Sequence, residues 1–169
     1  MTDTAKIMDE SIKLELNISK LYTLFLRIFP EHRDFWWTLS IEEKNHASLL
    51  LAGKHHFARF SMMPENMLAA KLEKLEMIND ELELLIYKLA RIPPSEEDAF
   101  DLAIGIEESA GEVHFQNFMQ KRSDKPLEKI FHKLNSGDED HADRIRRYKA
   151  KYVMSGNISI GSSSIESAV

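Results

Sequence analysis

The chain contains no cysteine among its 169 residues. Disulfides, iron-sulfur clusters and cysteine-ligated zinc are excluded together, because each needs sulfur from a thiolate. Glycine (6) and proline (5) are scarce. No Gly-x-Gly-x-x-Gly and no Gly-rich Lys-Ser/Thr loop occurs, so the backbone devices that cradle nucleotide phosphates are missing. No run approaches the ~20 apolar residues that a membrane-spanning helix needs. The N-terminus, Met1 to Lys6, leads into an amphipathic, charged stretch and is no secretory signal. The expectation is a cytoplasmic protein without a membrane partner. Positive charge is also short: 22 Lys and Arg face 28 Asp and Glu, a net charge of −6. That disfavours a general nucleic-acid footprint, and no nucleic-acid partner is expected.

What remains is an ordinary soluble balance, 43% hydrophobic and 30% charged, in a chain long enough for one domain with a sizeable core. The apolar residues return at intervals of three and four, the period of a helix face. A first helix is expected from Asp9 to about Phe29, closed by Pro30. A second runs from Asp34 to about Ser61 and a third from about Met67 to Ala90, ended by Pro93-Pro94. A fourth starts after Ser95, a capping residue followed by three acids, and reaches about Lys121. A last helix spans about Leu127 to Tyr152. Residues 1–154 are thus read as one helical domain, and the Ser/Gly-rich residues 155–169 as a tail whose expected state is local disorder.

Two short motifs carry the chemistry. Glu43-Lys44-Asn45-His46 and Asp138-Glu139-Asp140-His141 each place a carboxylate three residues before a histidine. On a helix, positions i and i+3 share a face, so each pair can offer one carboxylate and one imidazole to the same ion. Two such pairs are four of the six ligands of a dimetal carboxylate bundle. The other two are one lone carboxylate from each of two further helices. Glu15, beside the apolar stripe of the first helix, and Glu107, on the Ala103/Ala110/His114 face of the fourth, are the candidates. The i+3 rule prefers Glu43 to Glu42 and Asp138 to Glu139; Glu108 and Glu112 remain alternatives to Glu107. A lone Glu-x-x-His is common on charged helices, so the weight rests on the paired motifs together with carboxylates on apolar faces.

Four carboxylates balance two divalent ions, as a low-dielectric interior requires. Oxygen and nitrogen donors suit iron or manganese, with zinc a competitor. Iron is preferred on redox grounds, because a reduced pair can pass two electrons to dioxygen or peroxide. Tyr22 lies two turns after Glu15, in position to hydrogen-bond a ligand carboxylate of another helix. His114 holds the same place relative to Glu107. These two are the candidates for proton delivery. His32, His55 and His56 belong to no such constellation and read as surface or packing residues.

On Glu15 with Tyr22, Glu43 with His46, Glu107, and Asp138 with His141, the chain resembles the ferritin-like superfamily, and within it the rubrerythrin-like diiron proteins. The resemblance covers roughly residues 9–152 and implies an all-α, ferritin-like four-helix bundle with a long crossover containing an extra helix. It implies that Glu43 and Asp138 bridge two iron ions, that Glu15 and Glu107 are terminal ligands, and that His46 and His141 bind one ion each. The implied activity is reduction of hydrogen peroxide or dioxygen in a homodimer, or oxidation of ferrous iron. A non-enzymatic, metal-stabilised interaction protein is the competing expectation. The chain departs from the family at four points. Asp138 replaces a glutamate. Ala110 stands where rubrerythrins carry a further glutamate. The cysteine-ligated electron-donor domain is absent, so a separate electron-donor protein is implied. Met67 to Ala90 adds a helix.

Overall fold

The computed structural model describes residues 3–60, 72–108 and 141–160. Among these the chain is all-α, a four-helix-bundle-like ferritin fold whose long crossover carries an additional helix. Helix α1 (Asp3–Ile28) is followed by a single 3-10 turn at Pro30–His32 and then by α2 (Arg33–Phe60). The crossover helix α3 (Leu72–Leu89), α4 (Glu96–Ile106) and α5 (His141–Ile160) complete the described elements. The backbone of α5 stays helical to Ile160, eight residues past the expected end at Tyr152.

Helix α1 is the spine. Leu14, Ile18, Leu21, Tyr22 and Phe25 are fully buried along one face, and α1 packs lengthwise on both α2 and α3. Proline at the start of the 3-10 turn has no N–H to leave unsatisfied, so the chain reverses there without losing a hydrogen bond. The Phe29 N–H still bonds the Phe25 carbonyl at 2.8 Å, and the His32 N–H bonds the Phe29 carbonyl at 3.1 Å. The α1–α2 seam closes over small hydroxyl residues. Ser19 Oγ donates to the Ser40 carbonyl at 2.8 Å, and Thr23 Oγ1 lies 2.9 Å from Ser40 Oγ. These contacts bring Glu15 and Glu43 onto facing sides of a close-packed helix pair.

Helix α3 docks on α1 through Leu75, Leu82 and Leu89, one residue per seven, with Asn79 buried among them. Asn79 Nδ2 donates to the Glu10 carbonyl at 2.9 Å and to Glu10 Oε2 at 2.8 Å, and its Oδ1 accepts from Asn17 Nδ2 at 3.2 Å. A buried amide with all these partners fixes how α3 slides along α1, because any other register strands it without hydrogen bonds. Asn79→Ala should therefore cost about 1–3 kcal/mol, the penalty for leaving buried partners unsatisfied. For a chain of this size that is a fall of roughly 2–4 °C in Tm per kcal/mol. Thermal unfolding checks it, and an unchanged Tm would remove Asn79 as the register-setting contact.

Ser95 caps α4 by accepting the Asp98 N–H at 3.1 Å, and α4 packs against α5. Ile145 is buried between them, and Lys149 Nζ reaches back to Asp101 at 2.6 Å. Past Ile106 the backbone loosens into a π-type turn at Glu107 and Glu108. Such turns displace one side chain relative to the helical stripe and recur at functional sites. Here Glu107 is turned inward, 1% exposed, while Glu108 stays on the surface and pairs with Arg146.

Candidate metal centre

The structure brings five of the six candidate ligands to one place. Glu15 from α1, Glu43 and His46 from α2, Glu107 after α4, and His141 at the start of α5 are all buried. His46 Nδ1 lies 3.3 Å from Glu43 Oε2 and 3.8 Å from Glu15 Oε2. His141 Nδ1 lies 2.8 Å from Glu43 Oε1 and 3.7 Å from Glu107 Oε2. Glu43 thus touches both imidazoles, one with each oxygen. The two rings lie nearly parallel, 12° apart, with centroids separated by 5.3 Å. One donor atom each from Glu43, His46 and His141 fall within 4.8 Å of one another. Asp138, the sixth candidate, and His114 lie outside the described residues.

Helix periodicity explains why these side chains meet. Glu43 and His46 are i and i+3 on α2, in line with the buried Leu39 and Leu50. Glu15 continues the Leu14/Ile18 face of α1. The Tyr22 hydroxyl, two turns further on, donates to Glu107 Oε1 across the bundle. That bond leaves Oε2 of Glu107 facing the histidines.

The fit to metal ions rests on the hydrogen-bond balance of the carboxylates. Among the described residues, both oxygens of Glu15, Oε1 of Glu43 and Oε2 of Glu107 are buried and accept no hydrogen bond. Buried carboxylate oxygens ordinarily find donors, because leaving them bare costs several kcal/mol. Here the 2.8 Å approach of Glu43 Oε1 to His141 Nδ1 lacks the alignment of a hydrogen bond. Lone pairs from separate helices converge on a common interior, as they do where cations complete the set.

Without cations the cluster holds its charges by mutual pairing. Burial opposes the imidazolium of His46, but Glu15 and Glu43 outweigh it and push its pKa up to about 10. Burial likewise opposes that of His141, and Glu107 and Glu43 push it up to about 11. Burial alone would raise the Glu43 carboxyl, yet interactions with His141 and His46 hold it far below the usual carboxylate range. Glu15 and Glu107 move the other way, raised by burial and then by the negative charge of Glu43. Burial also raises the Tyr22 hydroxyl, followed by the charge of Glu107.

Two features were not foreseen in the sequence. Glu42, passed over as a ligand, sits 3.4 Å from His141 Nε2 and forms an ion pair with Arg144. It orients the ring whose other nitrogen faces the centre, a common arrangement around metal-binding histidines. The signal was available, since Glu42 neighbours Glu43 and Arg144 follows His141 by three, but it needs the α2–α5 contact to become readable. His32, read as a surface or packing residue, is a packing residue, 7% exposed, but its polar partners were not foreseen. Its Nδ1 lies 3.2 Å from the Tyr148 hydroxyl and its Nε2 pairs with Glu96. Glu31 is close enough to make a second His/Glu group there, but that imidazole already engages a partner at each nitrogen.

Comparison of the chain with protein-family models, with curated proteins and with solved structures found no match. What stands is an all-α fold with a buried histidine/carboxylate cluster consistent with a ferritin-like dimetal site. No helix among the described residues is long and apolar enough to cross a membrane.

Proposed function

We propose that this chain is a non-haem diiron oxidoreductase that reduces hydrogen peroxide or dioxygen with electrons from a separate donor protein, and that it works as a homodimer. The observation that carries the reading is the convergence of buried carboxylate oxygens from Glu15, Glu43 and Glu107 on two buried imidazoles, four of those oxygens accepting no aligned hydrogen bond among the described residues. Glu15, Glu43, His46, Glu107 and His141 would hold the two ions, with Asp138 as the sixth candidate ligand. When bound, an iron pair supplies two electrons and Lewis acidity for cleavage of an O–O bond. Manganese or zinc would fit the same donors.

The chain's own residues do the rest. Glu43 fixes the spacing of the two imidazoles by touching both. Tyr22 holds Glu107 in place and keeps a proton at its Oε1 edge, next to the reacting region. Glu42 and Arg144 fix the His141 ring from outside. Burial of Trp36, Leu39, Leu14 and Ile18 around the cluster keeps bulk water from the centre. Support for the dimer comes from α3, where Met77, Leu84 and Tyr87 expose apolar surface along one side.

The test is anaerobic titration of metal-free protein with ferrous iron, followed by rapid mixing with peroxide. The expected result is two irons per chain and fast oxidation of both. Stoichiometric binding with no oxidation by peroxide or dioxygen would leave a metal-stabilised helical protein in place of an enzyme. Oxidation of many irons per chain would point to iron handling.

A further inference from the structure

The α1–α2 turn carries a second group of ligand side chains. One donor atom each from Glu31, His32 and Glu96 fall within 4.8 Å of one another. Glu31 and His32 belong to the 3-10 turn, and Glu96 opens α4. Tyr148, from the middle of α5, meets the same imidazole. Arg33 to Glu43 is about 15 Å of helix at 1.5 Å per residue, so the group is separate from the dimetal centre. We propose that Glu31, His32 and Glu96 bind a single divalent cation of the zinc type, which clamps the α1–α2 turn to the start of α4, with Tyr148 orienting the imidazole. The inference stands independently of the diiron reading.

Packing explains a buried histidine at a helix junction, and one carboxylate is enough to satisfy it. Glu31 is left over by that account. It is exposed, and its carboxylate gains nothing from lying near that of Glu96, since like charges repel. Neighbours in a 3-10 turn also project about 120° apart, so adjacency in the sequence does not by itself bring Glu31 and His32 to one point. A cation reverses the balance, because it attracts both carboxylates. His32 is the built part of the site. It is 7% exposed, and its ring stands edge-on to Phe100 at 5.4 Å and to Tyr148 at 5.5 Å. Packing therefore fixes the ring before an ion arrives, as a precise ligand requires. Its Nδ1 lies 3.2 Å from the Tyr148 hydroxyl, and its Nε2 pairs with Glu96. Both contacts suit a ligating histidine. In the metal-free chain Nε2 carries the proton that faces Glu96. An ion at Nε2 takes the place of that proton and keeps Glu96 as a co-ligand, while Nδ1–H donates to the Tyr148 oxygen as the outer bond.

The donor set selects the ion. Two carboxylates cancel the charge of one divalent cation. The imidazole nitrogen disfavours calcium and magnesium, which take oxygen ligands, and no cysteine is present to select copper(I). Three protein ligands leave a fourth, tetrahedral position for water, a pattern that zinc accepts. The Glu96 side chain is 37% exposed and Glu31 lies at the surface, so the ion can enter and leave without crossing the core. Binding ties together residues that are 64 positions apart in the chain. Loss of the ion should therefore loosen the α1–α2 turn against α4 and leave the dimetal centre in place.

The test is titration of metal-free, full-length protein with zinc against a chromophoric chelator. Wild type should bind one zinc per chain beyond those at the dimetal centre. Glu43→Gln, in which the pair is not expected to bind, should keep that one ion. Tyr148→Phe retains the ring and removes the outer bond, and should weaken the ion by about 10–100-fold. Glu96→Gln should weaken it at least as much, and His32→Gln should abolish it, with the pair unaffected in all three. Glu96→Gln, a change near the surface, carries the test where His32→Gln does not fold. A Glu43→Gln protein that folds and binds no zinc overturns the site. So does a zinc ion indifferent to Glu96→Gln or to Tyr148→Phe, since such an ion is adventitious on the surface. Wild type that binds a single zinc, lost in Glu96→Gln, overturns the dimetal reading and leaves this site standing.

Discussion

Glu43→Ala should abolish binding of the metal pair and destabilise the metal-free protein by about 3–5 kcal/mol, the cost of removing one partner from a buried ion pair. At roughly 2–4 °C per kcal/mol that is a fall in Tm of about 6–20 °C. The size of the effect follows from position. Glu43 is 1% exposed and lies 3.3 Å from one imidazole and 2.8 Å from the other. Among the described residues it is the carboxylate that touches both histidines. In the variant, His46 keeps Glu15 at 3.8 Å, and His141 keeps Glu107 at 3.7 Å and Glu42 at 3.4 Å. Those contacts are longer, and the imidazolium charges lose their shared counter-ion.

Metal widens the difference further. An ion present at a hundred times its Kd stabilises the native state by about 2.7 kcal/mol, and a variant that binds none gains nothing. Glu43→Gln separates shape from charge: it should fill the space and still bind no metal pair. Leu75→Ala is the control, costing about 2–5 kcal/mol through a core cavity while leaving two metals per chain. Metal content and Tm, measured on all three variants, decide the matter. Glu43→Ala retaining two tightly bound ions would remove Glu43 from the centre.

Much of this was legible in the sequence because it depends on helical spacing alone. The i, i+3 relation placed Glu43 and His46 on one face, and the apolar stripes around Glu15 and Glu107 marked carboxylates directed inward. Choosing Glu107 over Glu108 needed only the face shared with Ala103, although the π-type turn that orients it leaves no mark in the periodicity. The start of α4 was readable to the residue, because Ser95 followed by three acids is a cap with its own chemistry. What spacing cannot convey is contact between helices. His32 looked isolated because Tyr148 and Glu96, its partners, lie more than sixty residues away along the chain. Glu42 was set aside for Glu43 on spacing alone, because Arg144 arrives only with α5. Asn79 and Asn17 show the same limit. Polar residues on an apolar stripe read as interruptions until the facing helix supplies their partners.

Raising the pH from about 6.5 to 11 should destabilise the metal-free protein and, over the acidic and neutral part of that range, strengthen its hold on metal. His46 titrates near 10 and His141 near 11 in the folded, metal-free chain, against 6.5 for a free imidazole. Their folded pKa values are raised, so the stability they contribute is fully present below about 6.5 and is lost as pH rises through the folded values. Within that window the native state binds more protons than the unfolded one, and stability falls with pH. Glu15 and Glu107, also raised, carry the same sign above the ordinary carboxylate range. Glu43 carries the opposite sign and costs stability only in acid.

A metal ligand must be deprotonated, so each ion that binds expels the proton of its imidazole. Two imidazolium protons released per pair, together with any proton still held by the raised Glu15 and Glu107 carboxyls, give an apparent affinity for the pair that rises by at least about a hundredfold per pH unit while both imidazoles remain protonated. Zinc, which does not change oxidation state, is the cleaner probe. Competition with a chelator between pH 6 and 8 gives the slope, and calorimetry in buffers of different ionisation enthalpy counts the protons. A flat profile with no proton release would mean that both imidazoles are already neutral in the metal-free chain. The pairing with Glu43 would then not be ionic, and the large cost expected for Glu43→Ala in metal-free protein would shrink with it. The two experiments therefore test one arrangement from opposite sides, since the charge that steadies the metal-free cluster is the charge that metal has to displace.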